Sequence, residues 1–218
     1  MCMKHELSGG FKMKGLFNSL ATSAKEFKQI RTLTLTAMLV GLSMLIEMLS
    51  IDIGFVKLNF AFIAIAIIGM LFGPFVGFTA GLACDIVGFI AHPTGAFLPI
   101  YVLVAGLQGL IYGVFLYHKA YDNISENTSR AKKNVGFIIR IVAARLCDVI
   151  IINLLLNTAL NMHYGFIPQA AYGTAIVARV TKNVLELGLD LPLLFVILPA
   201  ALMAYKKVFN IKRRRVNV

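Results

Sequence analysis

The stretch from Lys57 to Gly113 constrains this chain more than any other. It holds two charged residues, Lys57 and Asp85, in 57 positions, and Gly73-Pro74 and His92-Pro93-Thr94-Gly95 punctuate it. Glycines recur inside its apolar runs at 69, 77, 81, 88, 106 and 109. A soluble core does not sustain that composition over that length, whereas apolar runs of about 20 residues are what a bilayer's hydrocarbon requires. The stretch reads as three membrane helices joined by very short connections.

The composition of the whole chain agrees. Its 218 residues are 59% hydrophobic and 14% charged, with a mean hydropathy of +0.82, which is the signature of a polytopic membrane protein. The net charge of +11 does not point to nucleic acid, because of where the charges lie. Of 21 Lys and Arg, six fall in 1–31, four in 119–133 and six in 206–215, all termini or one loop. That is the pattern of cytoplasmic segments beside a membrane, so membrane lipid is an expected partner and nucleic acid is not.

Six spans follow from the apolar runs: 32–49, 58–72, 75–91, 97–117, 135–162 and 171–204. The predicted fold is therefore an all-α membrane bundle of six transmembrane helices. Residues 1–31 form a basic N-terminal segment, 32–205 the membrane domain and 206–218 a basic tail. Leu16, Leu20, Ala24 and Phe27 recur at helical spacing, which fits either a short helix lying on the inner membrane surface or a disordered basic tail. Six spans put both termini on one side. With 16 basic residues on that side and only Lys57 on the other, that side is cytoplasmic. The sixth run, 34 residues, would be about 50 Å long, so Pro192 and Pro199 are expected to kink it or its start belongs to the outer loop.

The chain shows no nucleotide-binding Gly-rich motif, no catalytic motif and no His/Cys cluster at metal-ligand spacing. Cys2, Cys84 and Cys147 read as small apolar residues rather than ligands. No catalytic residue, metal or cofactor is expected. The informative polar residues lie in spans five and six, where charge is expensive and ordinarily faces a cavity or a partner. Arg145 and Asp148, three apart, are placed to pair, as are Lys182 and Glu186, four apart. That leaves Arg179 and Asn183, with Asn153 and Asn157 sharing a face of span five. An Arg with several amides on facing helices makes an anion-binding, hydrogen-bonding pocket. The bland alternative is a polar seam that ties helices together. Phe97 and Tyr101 read as an aromatic wall of the pocket or as an interfacial belt. His92 reads as a turn residue rather than a metal ligand, and Asp85 has no evident partner.

Five segments carry a resemblance: IGMLFGPFVGFTAGLACDIVGF at 68–89, HPTGAFLP at 92–99, GLIYGVFLY at 109–117, NLLLNT at 153–158 and ARVTKN at 178–183. Through them the chain, from about Arg31 to Lys206, resembles the substrate-binding S components of energy-coupling factor (ECF) transporters, specifically the folate family. The resemblance implies six helices, no ATP site, and a vitamin pocket near the outer face built from helices four to six and the outer loops. It also implies a transmembrane coupling subunit and two ATPases as partners. Small residues on helix one meet the coupling subunit in that family, and Ala37 and Gly41 match that pattern. The chain departs from the family at Lys57, where Arg is common, at Ala64, where Pro is common, and at PIYVLV over 99–104. These are positions where ligand is expected, so Lys57 and His92 join Arg179, Asn183, Asn153, Asn157, Phe97 and Tyr101 as candidate binding residues. Folate is the first expectation, with pantothenate and cobalamin as alternatives. A stand-alone channel or a lipid-modifying enzyme is the rival from another class.

Overall fold

The computed structural model describes residues 13–48, 51–53, 56–58, 60–91, 97–122, 130–166 and 172–209. In chain order the elements are α1 (Met13–Glu26), α2 (Ile30–Met48), β1 (Ile51–Ile53), β2 (Val56–Leu58), α3 (Phe62–Phe72), α4 (Pro74–Ala91), α5 (Pro99–Asp122), α6 (Arg130–Asp148), a π-helical segment (Val149–Leu156), α7 (Asn157–His163) and α8 (Tyr172–Val208). The fold is all-helical as expected, apart from one short hairpin. The polar break after α2 closes as a small antiparallel hairpin, with Asp52 opposite Lys57.

α3 is the centre of the bundle. It is apolar on every face, and Ala66, Ile68 and Met70 are completely buried, as expected of a helix that is hydrophobic all round. Gly73 ends it at φ +93°, a conformation essentially reserved for glycine. Pro74 then opens α4 at the one helical position where its missing N–H costs nothing. The α4 start is capped from a distance. The Ser23 hydroxyl of α1 donates to the Phe72 carbonyl oxygen at 2.7 Å and accepts from the Phe75 and Val76 amides at 3.1 and 3.2 Å. Phe27 meets Phe75 edge-on beside it, with ring centroids 5.8 Å apart. α1, which the sequence suggests as a surface helix, thus docks onto the α3–α4 turn.

The recurring glycines find their explanation between α3, α4 and α5. A Cβ at Gly77 would stand 2.5 Å from the Gly109 carbonyl oxygen, and one at Gly109 would overlap the Gly77 carbonyl. Backbones touch here, which is how small residues hold helices together where lipid removes the hydrophobic drive.

α6, the π segment and α7 form one continuous helical run covering the predicted fifth span. α8 runs for 37 residues, about 55 Å, and continues through both Pro192 and Pro199. Among the described residues, four helices meet the length and hydropathy of a membrane span: α2, α4, the 99–117 part of α5, and α8. α3 is too short at 11 residues, and the charged residues of α6 lower its hydropathy. Arg31 lies over the rings of Phe209 and Tyr205, 3.2 and 4.9 Å from their centroids, so the start of α2 and the end of α8 meet at the same end of the bundle.

Candidate functional site

A cavity of about 270 Å³ opens between α2 and α4 on one side and α6, the π segment and α8 on the other. Ser43, Glu47, Cys84 and Asp85 line the first wall, and Arg145, Asn153, Lys182, Glu186 and Asp190 the second. Phe60 and Phe62, at the start of α3, and Ala105 and Gln108 of α5 complete it.

Arg145 anchors the second wall. Its side chain is 5% exposed. One terminal nitrogen donates to Asp148 Oδ2 at 2.6 Å and to the Tyr112 hydroxyl at 3.2 Å, and the other donates to Asp190 Oδ2. Its guanidinium lies 4.0 Å over the Phe62 ring. Gln108 Nε2 and the Tyr112 hydroxyl donate to the same Asp148 oxygen at 3.1 and 3.4 Å. The spacing of three along α6 set up the Arg145–Asp148 pair, as the sequence predicts. Asp190, 45 residues away, completes it, because a buried cation facing two helices is stable only when its hydrogen-bonding fork is filled. Two carboxylates on one guanidinium leave Arg145 no charge to spare for a ligand anion. Its Nε and Asp148 Oδ1 are buried without partners.

The other candidates divide. Lys182 pairs with Glu186 at 3.4 Å, as predicted. Asn153 lines the cavity and starts a polar ladder up the helix. Asn157 Nδ2 donates to Asn153 Oδ1 at 3.4 Å, Asn161 Nδ2 to the Asn157 carbonyl at 2.6 Å, and the Tyr101 hydroxyl to Asn161 Oδ1 at 3.1 Å. Inside the π segment the ring of backbone bonding widens: the Asn157 amide bonds the Ile152 carbonyl five residues back. Arg179 is half-buried, outside the cavity lining but within electrostatic reach of Tyr101. Asn183 is buried, 7% exposed, one turn further along α8. Phe97 is 46% exposed and packs on Phe89, centroids 5.0 Å apart, away from the cavity lining. His92 and the Lys57 side chain lie outside the described residues. Ala37 and Gly41 are exposed on α2, and a Cβ at Gly41 would meet nothing within 4 Å.

Glu47, Asp85 and Gln108 are cavity residues that spacing alone does not select. The available signal was Asp85 itself, a lone carboxylate in an apolar span.

The family described as "ECF transporter, substrate-specific component" matches residues 31–198. The chain is similar to "Folate transporter FolT" of Clostridium novyi (strain NT), 33% identical over 93 residues, which are 42% of this chain and 54% of the relative. It is also similar to "Folate transporter FolT" of Streptococcus mutans serotype c, 37% identical over 105 residues, 47% of this chain and 55% of that one. The chain thus spans about half the length of the curated relatives it matches. A solved structure described as FolT bound with folic acid superposes with a TM-score of 0.61 at 22% identity, covering 81% of this chain and 97% of the other, which establishes a shared fold. With a family match that takes in every helix from α2 through most of α8, the chain belongs to the substrate-specific components of ECF transporters.

Proposed function

We propose that this protein captures folate at the outer face of the cell membrane and delivers it inward together with a transmembrane coupling subunit and two ATPases. Both curated relatives it resembles are named folate transporters, and that observation carries the choice of vitamin. A cavity of about 270 Å³ has room for a flat ring system. In this reading both termini are cytoplasmic, six helical runs cross the membrane, and Arg179, outside the cavity lining, meets a ligand carboxylate. Asn153, Asn157 and Asn183 read the ligand's amide and ring edges, with Phe97, His92 and Lys57 at the rim. The exposed Ala37–Gly41 face of α2 meets the coupling subunit, since small residues let a partner helix approach closely. Because the chain carries no nucleotide motif, the energy for reorienting the loaded subunit comes from the ATPases.

Equilibrium binding of labelled folate, pantothenate and cobalamin to the purified chain is the test. Folate is expected to bind below about 1 µM, near −8 kcal/mol, and Arg179→Ala to weaken it by about tenfold or more. Tight binding of pantothenate with none of folate overturns the choice of vitamin. Failure to bind any vitamin overturns capture altogether.

A further inference from the structure

The helical run from α6 to α7 does not keep one geometry. Asn153 lines the same cavity as Arg145, and Asn157 bonds to Asn153. On a regular α-helix, at 3.6 residues per turn, Asn157 would point about 120° away from Arg145, twelve positions before it. The π segment (Val149–Leu156) removes that mismatch. Its wider bonding, seen where the Asn157 amide meets the Ile152 carbonyl, takes one extra residue into the turns. With one residue absorbed, the separation acts as eleven positions and the two side chains come within about 20°. Polar side chains close the outer exit of the segment. The Thr158 hydroxyl donates to the Asn153 carbonyl at 3.3 Å, and Asn161 Nδ2 donates to the Asn157 carbonyl at 2.6 Å. Inside a membrane, such side chains satisfy carbonyls that irregular helix bonding leaves short of partners.

The two flanks of the segment are held unequally. Inward, Ile141, Ala144, Arg145 and Asp148 are all buried, and Arg145 is tied to Asp190 of α8. Outward, Thr158 alone of the seven residues of α7 is buried. The Tyr101 hydroxyl, donating to Asn161 Oδ1 at 3.1 Å, ties α7 to the start of α5. Between a fixed flank and a lightly held one lies a helix with a residue to spare. π bonding ordinarily occurs as a single turn, and this run of eight residues exceeds one, so no single position pins the extra residue.

We propose that the π segment is a rotary joint between a fixed α6 and a movable α7. When it winds as α, the stored residue is released, and α7 turns by about 100° and advances by about 1.5 Å. That turn breaks the Tyr101–Asn161 contact and swings the Asn157 face away from Arg145. A side-chain tip about 5 Å from the helix axis travels on the order of 8 Å. Tyr101–Asn161 is the catch that holds the π form. Resting on the capture reading, the π form retains the ligand and the α form admits and releases it, so the joint sets the rate of exchange.

Amide hydrogen exchange of the full chain in lipid nanodiscs, without ligand, tests this with two variants. Deleting Ile151, an exposed residue of the segment, gives a regular α-helix with both flanks still in register and nothing left to release. Exchange over 154–162 is then expected to slow by about tenfold or more, whereas a merely disrupted helix exchanges faster. Tyr101→Phe removes the catch and is expected to speed exchange there about fivefold while leaving 137–148 unchanged. Should the deletion chain fail to fold, spin labels at Ile90→Cys and Ala159→Cys, both exposed, decide the matter in a chain whose native cysteines are alanine. Tyr101→Phe is expected to enlarge a second distance population displaced by about 3 Å or more. Unchanged or faster exchange in a folded deletion chain, unchanged exchange in Tyr101→Phe, or a distance distribution that Tyr101→Phe does not alter overturns the joint. These readouts need no vitamin, so the capture reading is scored apart from them. Folate binding to a chain that fails these tests leaves capture standing, and a chain that passes them without binding any vitamin keeps the joint and loses capture.

Discussion

Replacing Arg145 with methionine keeps the volume of the side chain near Phe62 and removes the charge that two helices share. Asp148 is completely buried and Asp190 is 4% exposed, so each would be left as an uncompensated carboxylate in a low-dielectric interior. Breaking a buried ion pair from one side costs about 3–5 kcal/mol, whereas replacing all its members with neutral groups of similar shape is often close to neutral. For a chain of this size that loss corresponds to a fall in melting temperature of about 6–20 °C. The sequence contains no tryptophan, so intrinsic indole fluorescence is not the readout. The buried thiol of Cys84 is: a dye that fluoresces on thiol reaction reports exposure of the bundle interior on heating in detergent. Ligand is omitted, so that any role of Arg145 in binding does not enter. The expected result is a large fall for Arg145→Met and recovery of most of it in Arg145→Met/Asp148→Asn/Asp190→Asn, where Gln108 and Tyr112 still satisfy the amide at 148. A single variant that melts within about 3 °C of the parent, or a triple variant no better than the single, refutes the reasoning.

Three further outcomes are expected. Gly109→Ala drives a methyl group into the Gly77 carbonyl and should destabilise by about 1–3 kcal/mol, while Gly41→Ala, facing open space, should stay within about 0.5 kcal/mol; equal melting temperatures for the two would show that the α4–α5 backbones do not touch. Ser23→Ala removes a hydroxyl that serves three backbone groups at the α3–α4 turn; trypsin should then cut faster after the exposed Lys25 and Lys28, and an unchanged digestion rate would mean that α1 is held by something else. Ala37→Leu/Gly41→Leu should leave ligand affinity within about twofold yet abolish co-purification with the coupling subunit; a retained complex would move that interface off α2.

The sequence alone determined what short-range chemistry determines. The apolar runs marked α2, α4, α5 and α8, because a span of membrane length needs uninterrupted hydropathy. Gly73-Pro74 marked the α3–α4 boundary, since one residue tolerates φ +93° and the other suits the first turn of a helix. Spacing of three and four marked the Arg145–Asp148 and Lys182–Glu186 pairs. The family resemblance, carried by local motifs, was legible for the same reason. Only the tertiary structure decided what depends on residues far apart in the chain. Asp190 fills the fork of Arg145 from another helix. Ser23 caps α4 from α1, 52 residues before the amide it serves. Glu47 and Asp85, on different helices, line one wall of a cavity, while Arg179 stands outside its lining and Phe97 packs on Phe89. The hydrophobic pattern says which side chains leave water, but not which neighbour each one finds. That choice follows from how closely the backbones approach, and here the approach is set by glycines whose partners lie on other helices.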